Sequence, residues 1–249
     1  MKIIVVLFLF IYLFWRKLDR YNPVDYGHKW LNRLLGLNQL VCRRYHRLGD
    51  YWLDIPESEG AIIAANHQSG MDPVVLLAAS KRRVRFLTAS DYYDLPGVGY
   101  ILRAAGCIPV YKYKDNTLSL AKAVEALQNG ELIGIFPFGG IHLSDKPEPR
   151  IRSGVAVLSK LAQVKIYPVY ISGVAKFSFN KVFTSLFFVR SHLKIWQYKP
   201  VLNTSNDNNE VLQYLYPLLS NHVNFHKQPL IDSGSQSSQD SPDSTESIG

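Results

Sequence analysis

The sequence predicts an α/β fold, a mostly parallel sheet flanked by helices on both faces and preceded by an N-terminal membrane-docking helical segment. Three observations predict it. Short apolar runs at 60–65, 84–89, 132–136 and 164–172 have the length and composition of buried strands. Helix signals fall between them, such as Asp72-Pro73 opening an apolar run and Leu120, Val124 and Leu127 at helical spacing within 116–129. The chain of 249 residues shows no fixed-period repeat, and this length suits one α/β domain with appendages. The boundaries are 1–48 for an apolar anchor and basic amphipathic helix, 49–231 for the α/β domain and 232–249 for a disordered tail.

Charge narrows the partners. Lys and Arg number 28 against 20 Asp and Glu, a net charge of +8, and residues 232–249 hold four acids and no base, which leaves +12 on the rest of the chain. Such an excess favours anionic partners, whether membrane phospholipid, an acidic cofactor or nucleic acid. No zinc spacing, RNP-like block or recognition-helix pattern supports nucleic acid. Cys42 and Cys107 are too few for a disulfide framework and imply a reducing compartment.

Residues 3–15 carry no charge and precede Arg16, Lys17 and Arg20. As a helix they reach about 20 Å, short of the roughly 30 Å hydrocarbon core. The segment lacks the small residues of a cleavage site, so it reads as an uncleaved anchor that dips into the bilayer. If it does span, the basic cluster after it puts the remaining chain in the cytoplasm. From 25 to 48, Trp30, Leu31, Leu34, Leu35, Leu37, Leu40 and Val41 alternate with Lys29, Arg33, Arg43, Arg44 and Arg47. This basic amphipathic pattern suits a leaflet surface, while its leucines equally suit packing on the domain.

The stretch 66–73 joins the first apolar run to the second. In a regular helix His67 and Asp72 would point about 140° apart. In a strand-to-helix turn, His67 instead leans back onto a carboxylate at the helix start. An imidazole held through one nitrogen keeps the other free to accept a proton. The plainer reading of such a pair is a capping network.

Further along, Lys81, Arg82, Arg83 and Arg85 read as a solvated helix end, and 95–99 as a turn into the next helix. Residues 106–112 form a strand that ends in Lys112. The strand at 132–136 runs into Pro137-Phe138-Gly139-Gly140, where glycine lets backbone come close to a ligand and a turn amide can face developing negative charge. A helix beginning near Ser153 presents free amides beside Arg152. Phe177, Phe179, Phe183, Phe187 and Phe188 read as core or acyl-chain wall, 192–199 as a strand, and 209–225 as a last helix containing Pro217. The Ser-, Asp- and Gln-rich end cannot bury a core.

Four ordered blocks over residues 45–173 resemble the glycerolipid acyltransferases, the family of bacterial lysophosphatidate acyltransferase. Asn66-His67 with four residues to Asp72 resembles N-H-x4-D, the block 106–112 resembles G-x-I-P-V-x-R, Phe136 to Gly139 resembles F-P-E-G, and Arg150, Arg152, Gly154 and Pro168 fit the helix and last strand that follow. The resemblance implies transfer of a fatty acyl group from acyl-CoA or acyl-carrier protein to a lipid hydroxyl, on a membrane and with no metal or other cofactor. It makes His67 the general base, Asp72 its orienter, and Asn66, Lys112, Phe138, Gly139, Gly140 and Arg152 the substrate-binding residues. It also implies that the N-terminal helices dock the domain on membrane lipid. Three departures qualify it: Lys112 replaces Arg, Phe138 replaces the motif Glu, and Ile141 stands at an Arg position. Apolar surface against a phosphate is costly, so a less charged acceptor, such as a glycolipid, lysolipid or isoprenoid-derived alcohol, is expected. A catalytically silent lipid-binding protein that keeps the fold is the alternative.

Overall fold

The computed structural model describes residues 2–112, 115–142, 150–176, 186–205 and 207–220, with side chains from Tyr12 onward. The proposed tail at 232–249, the end of the last helix beyond Ser220, and Phe177, Phe179 and Phe183 lie outside the described residues.

The core is a seven-stranded sheet. In chain order its strands are β1 (Ala61–Ala65), β2 (Val84–Ala89), β3 (Ile108–Val110), β4 (Leu132–Ile135), β5 (Lys165–Ser172), β6 (Lys194–Gln197) and β7 (Val201–Leu202). They lie in the order β3-β2-β4-β1-β5-β6, with β7 also on β5. The first five strands are mutually parallel, and β6 and β7 run antiparallel to β5. The expected mostly parallel sheet is therefore present. The run at 192–199 holds β6, and Pro200, which has no N–H to give to a ladder, separates it from β7.

Both faces of β1 are buried, which explains its unbroken apolar run. Ala61, Ile63 and Ala65 pack beneath α3 (Asp72–Ala79), while Ile62 and Ala64 pack beneath α5 (Thr117–Gln128) and α6 (Gly154–Ala162). A short α4 (Val98–Ala104) leads into β3, and α7 (Asn208–Leu219) covers the second face through Val211, Leu215 and Leu219. β1 lies between β4 and β5, so the ends of these strands open side by side at one edge of the sheet, where parallel α/β folds bind ligands.

The N-terminal pair is α1 (Lys2–Tyr21) and α2 (Lys29–Leu40), followed by a π-helical turn, Val41–Tyr45. They cross where Gly36 lies against the backbone of Leu18, with no room for a side chain. Among the described residues no helix is long and apolar enough to cross a membrane.

The buried face of α2 differs from the apolar pattern, since it includes Asn38 and Gln39 while Leu34 is 41% exposed. The cause is the end of α3, whose last carbonyls lack helical partners. Gln39 Nε2 donates to Leu77 O at 3.4 Å, Arg43 Nη2 to Ala78 O at 2.8 Å, and Leu53 N to Ala79 O at 2.8 Å. Arg43, expected at a leaflet, is thus turned inward. Arg33 pairs with Asp19 at 3.0 Å and Arg47 meets His192 at 2.8 Å, whereas Lys29 and Arg44 are exposed. The basic run after α3 is also structural. Arg82 donates to the carbonyls of Pro56, Glu59 and Gly130, and Arg85 to Gly106 O and Glu131.

His46 joins this helical region to the chain before β6. Its Nδ1 accepts from Ser191 N at 3.1 Å and its Nε2–H donates to Leu186 O at 2.8 Å, so the buried ring is held neutral. Burial lowers its pKa below the ordinary 6.5. Below pH 6.5 the unfolded chain takes up the proton more readily than the folded one, so this contribution to stability is complete above that pH and is lost as pH falls toward the depressed folded value. The urea midpoint is expected to drop between pH 7.5 and 5.5, and His46→Gln is expected to flatten that drop. An equal drop in the variant would assign the pH dependence to other groups.

Candidate active site

Asn66 directs the chain out of β1. Its Nδ2 donates to Ile171 O at 2.8 Å and its Oδ1 accepts from Ile171 N at 2.7 Å, a side-chain rung that extends the β1–β5 ladder. The residue is 2% exposed. Both ends of the amide are therefore engaged with β5, and this fixes the direction in which His67 leaves the sheet.

The turn then closes on Asp72. Its Oδ2 accepts from His67 Nδ1 at 2.9 Å, Gln68 N at 2.7 Å and Ser69 N at 2.8 Å. Asp72 is the first residue of α3, followed by Pro73, and its carboxylate folds back over the preceding turn rather than capping the helix from outside. The oxygen already receives two amide protons, so the short contact to His67 requires Nδ1 to be a third donor. In the neutral imidazole with Nδ1 as donor, Nε2 carries the lone pair, and the side chain is 15% exposed. Ser69 is fully buried, donates to Ala175 O at 2.9 Å and accepts from Met71 N, so its hydroxyl belongs to the turn.

A column of rings sets the other side of the imidazole. Phe136, just past β4, stacks on His67 with centroids 4.1 Å apart and planes 21° apart, and Phe86 of β2 lies parallel to Phe136 at 5.8 Å. Gly134 makes room for Phe86, since a Cβ there would come within 2.5 Å of its ring. The stack restricts ring rotation and sets a π face against the imidazole. Gly134→Ala is accordingly expected to shift Phe86, then Phe136, then His67. Overpacking of this kind costs about 1–3 kcal/mol. The expected result is a lower Tm together with a lower kcat; unchanged kinetics would show that the column does not orient His67.

The turn after β4 closes over the same edge. Gly139 has φ +80°, the left-handed region, and a Cβ there would overlap the Arg152 guanidinium. Gly139 N donates to Phe136 O at 3.0 Å, Arg152 N to Pro137 O at 2.9 Å, and His142 N to His67 O at 2.7 Å. This last bond ties the turn directly to His67. The amide of Gly140, an exposed residue, has no partner among the described residues.

Not every expected residue converges here. Phe138 is 7% exposed, packs into the core against Val155 and Leu215, and meets Tyr216 edge to face at 6.2 Å. Its ring is directed into the protein, where a Glu would be buried without charge compensation. Lys112 lies at the end of β3, three strands from β1 or about 14 Å at ordinary strand spacing. Its Nζ is 3.5 Å from Asp91 Oδ2, and both side chains are more than half exposed. Lys112 therefore does not share the immediate surroundings of His67. Sequence reasoning missed Phe136 as a ring support and the His142 amide as a tie. The one available signal was that Phe136 ends the strand paired with β1. A polar depression of about 630 Å³ lies at the opposite end of β1, β4 and β5, lined by Ser58, Gly60, Asn129 and Val164, so cavity size does not mark this chemistry.

A parallel sheet thus seats an oriented His–Asp pair at the end of a central strand, beside a glycine turn. Residues 53–172 match the family model described as Acyltransferase. The chain is 24% identical over 119 residues to the 1-acyl-sn-glycerol-3-phosphate acyltransferase of Streptococcus pneumoniae, a match covering 47% of this chain and 43% of that protein. It is 21% identical over 121 residues to the Bacillus subtilis protein of the same name, covering 48% and 59%. The chain thus spans about half the length of these relatives. The crystal structure of the 1-acyl-sn-glycerophosphate acyltransferase of Thermotoga maritima has the same fold, with a TM-score of 0.58, 20% identity and coverage of 85% of this chain and 92% of that one.

Proposed function

We propose that this protein transfers a fatty acyl group from acyl-CoA or acyl-carrier protein to the hydroxyl of a lysophospholipid-type acceptor. The observation that carries the proposal is the His67 Nδ1 to Asp72 Oδ2 bond of 2.9 Å, which leaves Nε2 facing outward as a base. Nε2 takes the proton of the acceptor hydroxyl while its oxygen attacks the thioester carbonyl. The tetrahedral oxyanion is met by the Gly140 amide. The carbon–sulfur bond then breaks, and the thiolate leaves with the proton returned by the imidazolium. No acyl-enzyme is needed, in keeping with the engaged Ser69 hydroxyl.

Arg152, pressed against Gly139, supplies a cation for an anionic headgroup or donor phosphate, and Lys112 supplies one farther out. Asn66 acts through the backbone it holds. The N-terminal helices dock on membrane lipid, with the catalytic domain on the cytoplasmic side; supporting this are the exposed aromatic residues Tyr12, Phe14 and Trp15 and the exposed cations Arg16, Lys17 and Arg20.

A less charged acceptor was the expectation from Phe138 and Ile141. The buried position of Phe138 removes the larger part of its basis, leaving Ile141 at the edge of the site. A panel of lysophosphatidate, a neutral glycolipid and an isoprenoid alcohol, assayed by free-thiol release with each donor, tests both readings. Lysophosphatidate is expected to give the highest kcat/KM, and Lys112→Ala to raise its KM. A preference for an uncharged alcohol would reinstate the acceptor inferred from the substitutions, and no His67-dependent thiol release with any pair would leave lipid binding alone.

A further inference from the structure

A second apolar surface lies away from α1. Tyr100 and Ile101 of α4 are 59% and 37% exposed, and Leu95, in the turn before α4, is 42% exposed. Trp30, at the start of α2, stacks on Tyr100 with centroids 4.9 Å apart and planes 23° apart. This contact makes the surface continuous from the N-terminal helices to the turn that follows β2. We propose that Trp30, Leu95, Tyr100 and Ile101 form a second lipid-contacting element, seated on the same anionic leaflet as α1, and that it turns the β2–β3 side of the catalytic edge toward the bilayer. The proposal rests on the acyl-transfer reading only for its purpose; the surface itself stands on the Trp30–Tyr100 stack and the exposure of Leu95, Tyr100 and Ile101.

Charge and chemistry select the occupant. Trp and Tyr side chains combine an apolar body with a polar tip and favour the headgroup boundary. Lys29 beside Trp30 and Arg103 one turn beyond Tyr100 are both exposed, as are Arg16, Lys17 and Arg20 on α1, and the whole chain carries +8. Of the acids nearby, Asp91 is paired with Lys112, and Asp94 is exposed. A rim of cations around exposed aromatics matches an anionic leaflet. Position supports the same occupant. The turn bearing Leu95 follows the C-terminal end of β2, and β2 is two strands from β1, about 10 Å at ordinary spacing. A lipid leaving the leaflet at this rim enters the catalytic edge from its β2 side.

The experiment uses the full chain and vesicles of phosphatidylcholine with a minority of phosphatidylglycerol. Tyr100→Ser combined with Ile101→Ser is expected to weaken vesicle partition on the order of tenfold, while His67-dependent thiol release in detergent micelles stays at the native rate. In a separate variant, Tyr100→Trp, the added fluorescence is expected to be quenched by brominated lipid. Native partition by the double variant, or no added quenching in Tyr100→Trp, would overturn the proposal, as would sedimentation showing a stable dimer with this surface as its interface. If the native protein releases no thiol, the acyl-transfer reading fails while both vesicle readouts still report on the surface.

Discussion

His67→Ala is expected to abolish acyl transfer, and Asp72→Asn to lower kcat by on the order of 10³–10⁴ with the fold retained. The difference follows from the three bonds on one carboxylate oxygen. Asparagine can still accept from the Gln68 and Ser69 amides through its oxygen, so the turn persists. That oxygen can also accept from Nδ1, but a neutral amide lacks the charge that stabilises the imidazolium formed when Nε2 takes a proton, and it puts an amide nitrogen where Asp72 Oδ1 is buried without a partner. Turned over, the amide gives up the Gln68 and Ser69 bonds and offers protons to Nδ1, which forces the tautomer whose Nε2 carries hydrogen. Asp72→Ala removes all three acceptor contacts, and its cost to stability should exceed the roughly 1 kcal/mol of an ordinary capping loss. Thiol release measured beside thermal unfolding separates the two effects. Near-native turnover in Asp72→Asn would exclude an oriented-base mechanism.

Asn66→Ala is expected to be the most damaging change outside the pair. It leaves the N–H and carbonyl of Ile171 unpaired in a buried position, at about 1–3 kcal/mol for each group. It also releases the end of β1 that carries His67. A large fall in Tm and in kcat should therefore come together, with Asn66→Asp a poor substitute because it cannot donate to Ile171 O. If instead stability is unchanged and only the KM for the acceptor rises, Asn66 contacts the acceptor, as the family resemblance implies.

These expectations show where reading along the chain reaches its limit. The strand at 61–65 was legible because a strand buried on both faces must be apolar throughout, and the turn at 66–72 was legible because a His and an Asp five apart can meet only outside a regular helix. The arginines were less so. Arg43 and Arg82 carry the same charge as Lys29 and Arg44, and only the positions of unpaired carbonyls at the end of α3 and on the loops beside β1 and β4 turned the first two inward. Phe138 shows the same limit. Its apolar character was visible, but the direction of its ring depended on α6 and α7 building a core beneath the turn.

The sequence by itself determined the class of fold, the strand-to-helix turn and the pairing of His67 with Asp72, because these depend on local spacing and on burial of whole segments. Tertiary structure decided what holds them. Gly134 admits Phe86, Phe86 faces Phe136, and Phe136 stacks on His67. Asn66 closes on a strand 105 residues away. Those contacts arise from the strand order β2-β4-β1-β5, which brings distant segments edge to edge. No periodicity along the chain records that order, because each strand's pattern reports that it is buried and not which strand lies beside it.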